Sequence, residues 1–172
     1  MRTLSRRPLV PLAFVVLSWG AIVATSQPRW SVASSQTIAP FTMNAGETRT
    51  FRVTIRPSTA ALAFGQSRVA TNLTVTSRST VVGSPRPATV AVSLAPDRTL
   101  GVLSNNGTTA SHSSPCPEQA GCVRTYLLTV RWPDAAPGAS ANAVLDVRGE
   151  VEGRGESRAP AGASALLEVV PQ

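Results

Sequence analysis

The 172-residue chain contains no lysine: arginine supplies all 16 basic side chains, against 9 acidic ones, and only 15% of the residues are charged. It has one His, one Tyr and two Cys. Each shortage removes a class of chemistry. A hydrolytic triad needs a base, and His112 is the sole imidazole, set in Ser111-His112-Ser113-Ser114, where a solvated loop histidine is expected. His112 with Cys116 and Cys122 falls short of a closed four-ligand zinc site, and the spacing matches no finger or ribbon. There is no Gly-x-Ser-x-Gly elbow, His-Glu-x-x-His pair, P-loop or dinucleotide fingerprint, and no Asp/Asn-rich loop with calcium spacing. The chain is therefore read as not an enzyme, with no catalytic, cofactor-binding or metal-ligating residue. Nucleic acid is excluded as a partner because the arginines are scattered. Only six aromatics follow residue 26: Trp30, Phe41, Phe51, Phe64, Tyr126 and Trp132.

The chain also lacks long hydrophobic runs, except at its start. Arg2, Arg6 and Arg7 precede an apolar stretch from Leu9 to Ala24, and the small residues Ala24 and Ser26 suit a cleavage site. Sixteen residues is short of the roughly 20 that cross a bilayer as a helix. Two readings follow: residues 1–26 are a removable export signal, or they are a retained membrane anchor, which is the only route to a membrane association. Both place residues 27–172 outside, because three Arg precede the apolar run and only Arg29 closely follows it. Ser5-Arg6-Arg7-Pro8-Leu9 is similar to a twin-arginine export signal, with general export as the alternative. Abundant Ala, Arg, Pro and Val without Lys point to a GC-rich bacterial gene. Without the three N-terminal Arg, 13 basic residues face 9 acidic ones, so the formal excess falls from +7 to +4.

Export sets the expectation for the thiols. In an oxidising compartment Cys116 and Cys122 form a disulfide; free thiols, or metal or redox use with His112, are the alternatives. So short a loop contributes about 2 kcal/mol at most. It would hold the Ser-rich stretch Thr108 to Ser114 against the next strand.

What remains is dominated by a hydrophobic period of two. Phe51, Val53 and Ile55 alternate with Arg52, Thr54 and Arg56; Val69, Thr71, Leu73 and Val75 share a face, as do Val90, Val92 and Leu94. Tyr126, Leu128, Val130 and Trp132 form a third such set, and Leu145, Val147 and Val151 a fourth. A leading strand near Gln36 to Met43, interrupted or made an edge by Pro40, and a last one near Ala163 to Val170 bring the number to about seven. Helix is confined to a possible turn or two in Ser58 to Gly65, where an irregular strand fits equally well, and Asn106-Gly107 is a tight-hairpin pair. Strands without intervening long helices form antiparallel sheets, so residues 27–172 are expected to make one all-β sandwich. Asp146, Glu150 and Glu152 share a strand face with Arg148, which reads as charge-balanced surface rather than a carboxylate site.

Two segments carry a family resemblance. Met43-Asn44-Ala45-Gly46-Glu47-Thr48 is similar to the turn between the first two strands of many bacterial immunoglobulin-like and fibronectin-III-like domains. Val130-Arg131-Trp132-Pro133-Asp134-Ala135-Ala136-Pro137-Gly138 resembles the connection before a late strand in the same modules, although Ala139 to Asn142 lacks the aromatic that usually follows the Gly. The resemblance implies an immunoglobulin-like β-sandwich and a secreted or surface module for adhesion, assembly or spacing, with Tyr126 in a structural tyrosine-corner role. A shared fold does not transfer function. The expected partner is an envelope protein or polymer, with self-association through exposed sheet edges a further option. The alternative function is a small envelope enzyme or accessory domain whose active site a partner completes.

Overall fold

The computed structural model describes residues 27–63, 65, 68–98, 100–116 and 122–172. The N-terminal segment 1–26, expected to be a signal or anchor, lies outside the described residues, as do Phe64 and the interior of the cysteine loop.

Alternation of apolar and polar side chains produces nine strands among the described residues: β1 (Arg29–Asn44), β2 (Thr48–Pro57), β3 (Val69–Val81), β4 (Ala91–Pro96), β5 (Val102–Asn106), β6 (Thr109–Pro115), β7 (Arg124–Arg131), β8 (Ser140–Arg154) and β9 (Ala165–Pro171). They form two antiparallel sheets, one ordered β1-β8-β3-β6-β5 and the other β4-β7-β2-β9. Each strand pair within a sheet buries one side-chain face, and the two buried faces meet in the middle. The main core joins Met43, Phe51, Val53 and Ile55 to Leu73, Tyr126, Leu128 and Leu145. A second cluster, Trp30, Ala61, Val69, Cys116, Cys122, Val151 and Ala165, closes one end.

The all-β antiparallel sandwich is the architecture that the period-two pattern implies. Two strands exceed the pattern: β5 and β6. Their sequences, Val102-Leu103-Ser104-Asn105-Asn106 and Thr109 to Pro115, are so rich in Ser, Thr and Asn that hydropathy does not alternate along them. The hairpin between them pairs Asn106 with Thr109, so its two-residue loop is Gly107-Thr108, one position later than Asn106-Gly107. Gly107 takes φ 57°, the positive φ that a tight hairpin with Gly at its first central position requires. Within the Ser58 to Gly65 stretch the described residues form a 3-10 turn, Ala60–Leu62, whose Ala61 N–H donates to Ser58 Oγ.

β1 begins earlier than the sequence pattern suggests, at Arg29, because Trp30 packs flat over Gly153 on β8. Its pairing with β8 slips between Ile38 and Phe41, a bulge that contains Pro40. The extra residue inverts the strand: Trp30, Val32 and Ile38 point inward before it, Phe41 and Met43 after it.

Candidate functional site

The two sides of the sandwich are finished differently, and the difference locates the candidate site. On the β4 side the sheets are stitched together. Val92 N–H donates to Gly107 O at 2.8 Å, Leu94 N–H donates to Asn105 Oδ1 at 2.9 Å, and Asn105 Nδ2 donates back to Leu94 O at 3.4 Å. Pro96 has no N–H to satisfy. The outward donors of β4 are thereby occupied, and that edge is closed to further pairing.

On the β1 side a groove of about 570 Å³ opens between the bulged part of β1, the start of β2 and the end of β9. Ile38, Pro40, Phe41, Phe51 and Pro171 supply its apolar walls, and Gln172 reaches its rim. The volume lies within the range of small-ligand clefts, about 300–1,000 Å³. Phe41 and Phe51 meet at 5.9 Å between ring centroids, tilted by 50°. The Arg49 guanidinium sits 5.0 Å over the Phe41 ring.

The turn that resembles the immunoglobulin-like connection builds this wall. Gly46, at φ 80°, reverses the chain, and Glu47 N–H donates to Asn44 O. Glu47 then accepts from Asn44 N–H at 2.8 Å and from Arg49 Nε at 2.6 Å, while Arg49 donates to Thr42 O at 2.8 Å. The hydrogen bond from Asn44, reinforced by Arg49, holds the Glu47 carboxyl below the usual range. The second resembling segment lies at the same end of the sandwich: Ala45 N–H donates to Ala139 O and Ser140 Oγ to Asn44 Oδ1. Tertiary contact thus joins two turns that are nearly a hundred positions apart.

His112 is elsewhere and does not occupy a solvated loop. It sits on β6 with 2% exposure, because Ala110, His112 and Ser114 form the inward-facing set of that strand. Its Nδ1 lies 3.0 Å from Tyr126 Oη, with the rings edge to face. Burial, with the neighbouring Arg124 charge, lowers its pKa from the ordinary histidine value, and the Leu100 carbonyl and Asp97 act in the opposite direction. Burial pushes the Tyr126 phenol up to about 12. Tyr126 does play a structural part, but its hydroxyl is taken by a histidine side chain.

Arg124, one of the scattered arginines, is likewise interior. It is fully buried, donating from Nε to Ser114 Oγ at 3.1 Å and from its terminal nitrogens to Pro115 O at 2.9 Å and Val123 O at 3.2 Å. Its position in phase with Tyr126, Leu128 and Val130 was the available signal. Beside it, Cys116 and Cys122 are joined in a disulfide that ties the end of β6 to the start of β7, and Cys116 N–H donates to Val69 O. Asp146, Arg148, Glu150 and Glu152 share the outer face of β8 as their spacing implies, with ion pairs Arg78–Asp146 at 2.6 Å and Arg148–Glu150 at 3.6 Å. Among the described residues no three His, Cys, Asp or Glu side chains cluster as a metal site.

No protein-family model, curated protein or solved structure matches the chain.

Proposed function

We propose that this chain is an exported, non-catalytic module of the cell envelope, immunoglobulin-like in kind, which binds or scaffolds a partner through the groove beside the β1–β2 turn. The observation that carries this reading is the groove itself. Its aromatic and proline walls favour desolvation of a ligand, and its one charged pair, Glu47 with Arg49, is held in place by backbone bonds to Asn44 and Thr42. Such a pair positions a ligand rather than exchanging protons with it. Export is supported by the Arg-then-apolar pattern of residues 2–24 and by the Cys116–Cys122 disulfide, which suits an oxidising compartment.

The test is titration of the oxidised protein with peptidoglycan fragments and with anionic and neutral envelope glycopolymers. Saturable binding that Phe41→Ala weakens at least about tenfold, with an unchanged circular dichroism spectrum, supports the reading. Turnover in a broad hydrolase panel, or equal affinity of the Phe41→Ala protein, overturns it.

A further inference from the structure

Backbone parity along β1 singles out an edge that the fold leaves unguarded. Gly155 N–H donates to Pro28 O, which continues the register Arg29↔Arg154, so the even-numbered residues from Trp30 to Ile38 direct their backbone groups to β8. The odd-numbered ones, Ser31, Ala33, Ser35 and Thr37, direct theirs away from the sheet. No hydrogen bond reaches those N–H and C=O groups among the described residues. Beyond the bulge the same edge is sealed: Asn44 N–H is taken by Glu47, Thr42 O by Arg49, and Pro40 has no donor.

Exposed edges are ordinarily blunted by charge, proline, brevity or cover. The β4 edge is covered through Gly107 and Asn105, and β5 beside it is only five residues long. β9 is only seven residues long, carries Glu168 and ends on Pro171. Among the described residues, the Ser31–Ile38 stretch has none of these devices. From Trp30 to Gly46 the chain contains no charged residue, and the side chains on the outer face here are Ser, Ala, Ser and Thr.

We propose that this stretch of β1 pairs antiparallel with β1 of a second copy, making a two-fold dimer in which two five-stranded sheets become one. Self-pairing is favoured over a foreign strand because the segment is compatible with itself. An antiparallel two-fold centred on Ser34 places Ser31 opposite Thr37 of the copy and Ala33 opposite Ser35 of the copy. All these residues are of outward parity, so donors meet acceptors in both directions. No like charges meet on the paired strands. Across the junction, the β8 neighbours of Ala33 and Ser35 are Glu150 and Arg148, of opposite sign, while those of Ser31 and Thr37 are Glu152 and Asp146, the latter ion-paired with Arg78. A single strand pair is a small interface, so the dimer is concentration-dependent rather than obligate.

The test uses the protein expressed with its own N-terminal segment in an exporting bacterial host, followed by sedimentation over a wide concentration range. Ser35→Pro removes an N–H that β8 does not use, so β1 keeps its place in the sheet. The wild type is expected to dimerise reversibly and Ser35→Pro to do so about tenfold or more weakly. A second measurement needs no variant: the amides of Ser31, Ala33, Ser35 and Thr37 become slower to exchange as concentration rises, while those of Val32, Ser34 and Gln36 are protected throughout. A monomeric wild type, undiminished dimerisation of Ser35→Pro, or concentration-dependent protection confined to β9 overturns the proposal.

Discussion

The Asn105 carboxamide stands in for a strand opposite Leu94, accepting its N–H at 2.9 Å and donating to its C=O at 3.4 Å. One side chain thus joins the edges of two sheets whose backbones do not pair at that point. Replacing it with Ala leaves both Leu94 groups without a partner at a half-buried site, at a cost of about 1–3 kcal/mol. Urea denaturation of Asn105→Ala should show that loss, and the reopened β4 edge should raise its tendency to aggregate on concentration. Asn105→Asp can accept but not donate, so it is expected to recover only part of the loss.

The single tyrosine makes one acid–base property directly observable. Tyr126 is inside the core with its pKa pushed up to about 12, chiefly by burial. Phenolate absorbance should therefore stay flat through pH 10, where an ordinary tyrosine is half ionised. It should rise near pH 12, or earlier only in step with unfolding seen by circular dichroism.

His112 sets the acid side. Its folded pKa is lowered by burial and by Arg124, so the unfolded chain binds the proton more readily. Stability is then highest above about pH 6.5 and declines as the pH falls from there towards the folded value. Thermal melts between pH 7.5 and 5 should show this decline, and His112→Asn should flatten it even if its overall stability is lower. Below that window the carboxyls of Glu47 and Asp146, both held below their ordinary values chiefly by hydrogen bonds, add a further loss as they protonate.

At the opposite end of the sandwich, Gly153 has no room for a side chain, since an added Cβ would overlap the Trp30 indole. Gly153→Ala should destabilise by about 1–3 kcal/mol through overpacking and should shift tryptophan emission as Trp30 is displaced. Gly149→Ala, which meets only flexible ends of Ile55 and Leu167, is expected to cost less.

Reduction of Cys116–Cys122 should lower stability by at most about 2 kcal/mol, as the loop it closes is short. The protein should stay folded, because the disulfide lies in the smaller end cluster and the main core does not contain it.

Much of the fold was legible in the chain, and the exceptions share a cause. Strands β2, β3, β4, β7 and β8 announce themselves because Val, Ile, Leu, Phe or Tyr recurs at alternate positions along much of each. β6 alternates just as strictly between inside and outside, yet its inward residues are Ala110, His112 and Ser114, which hydropathy does not distinguish from Ser111 and Ser113. Arg124 was hidden in a related way: its parity points inward, but its charge suggests solvent. The groove had less signal still. Pro40 marked an irregularity in β1, whereas the approach of Phe41, Arg49 and Phe51 depends on how the bulge aims the strand.

By itself the sequence determined the all-β class, the antiparallel pairing of half-buried strands and the pair of cysteines, because each of these rests on local periodicity or composition. Which edge of the sandwich is sealed, which is open, and which polar side chains are interior was decided only by tertiary structure. A backbone donor is satisfied or left free by whatever residue folding brings beside it, and Asn105 reaches Leu94, or Glu47 and Arg49 close the end of β1, only once the two sheets have packed.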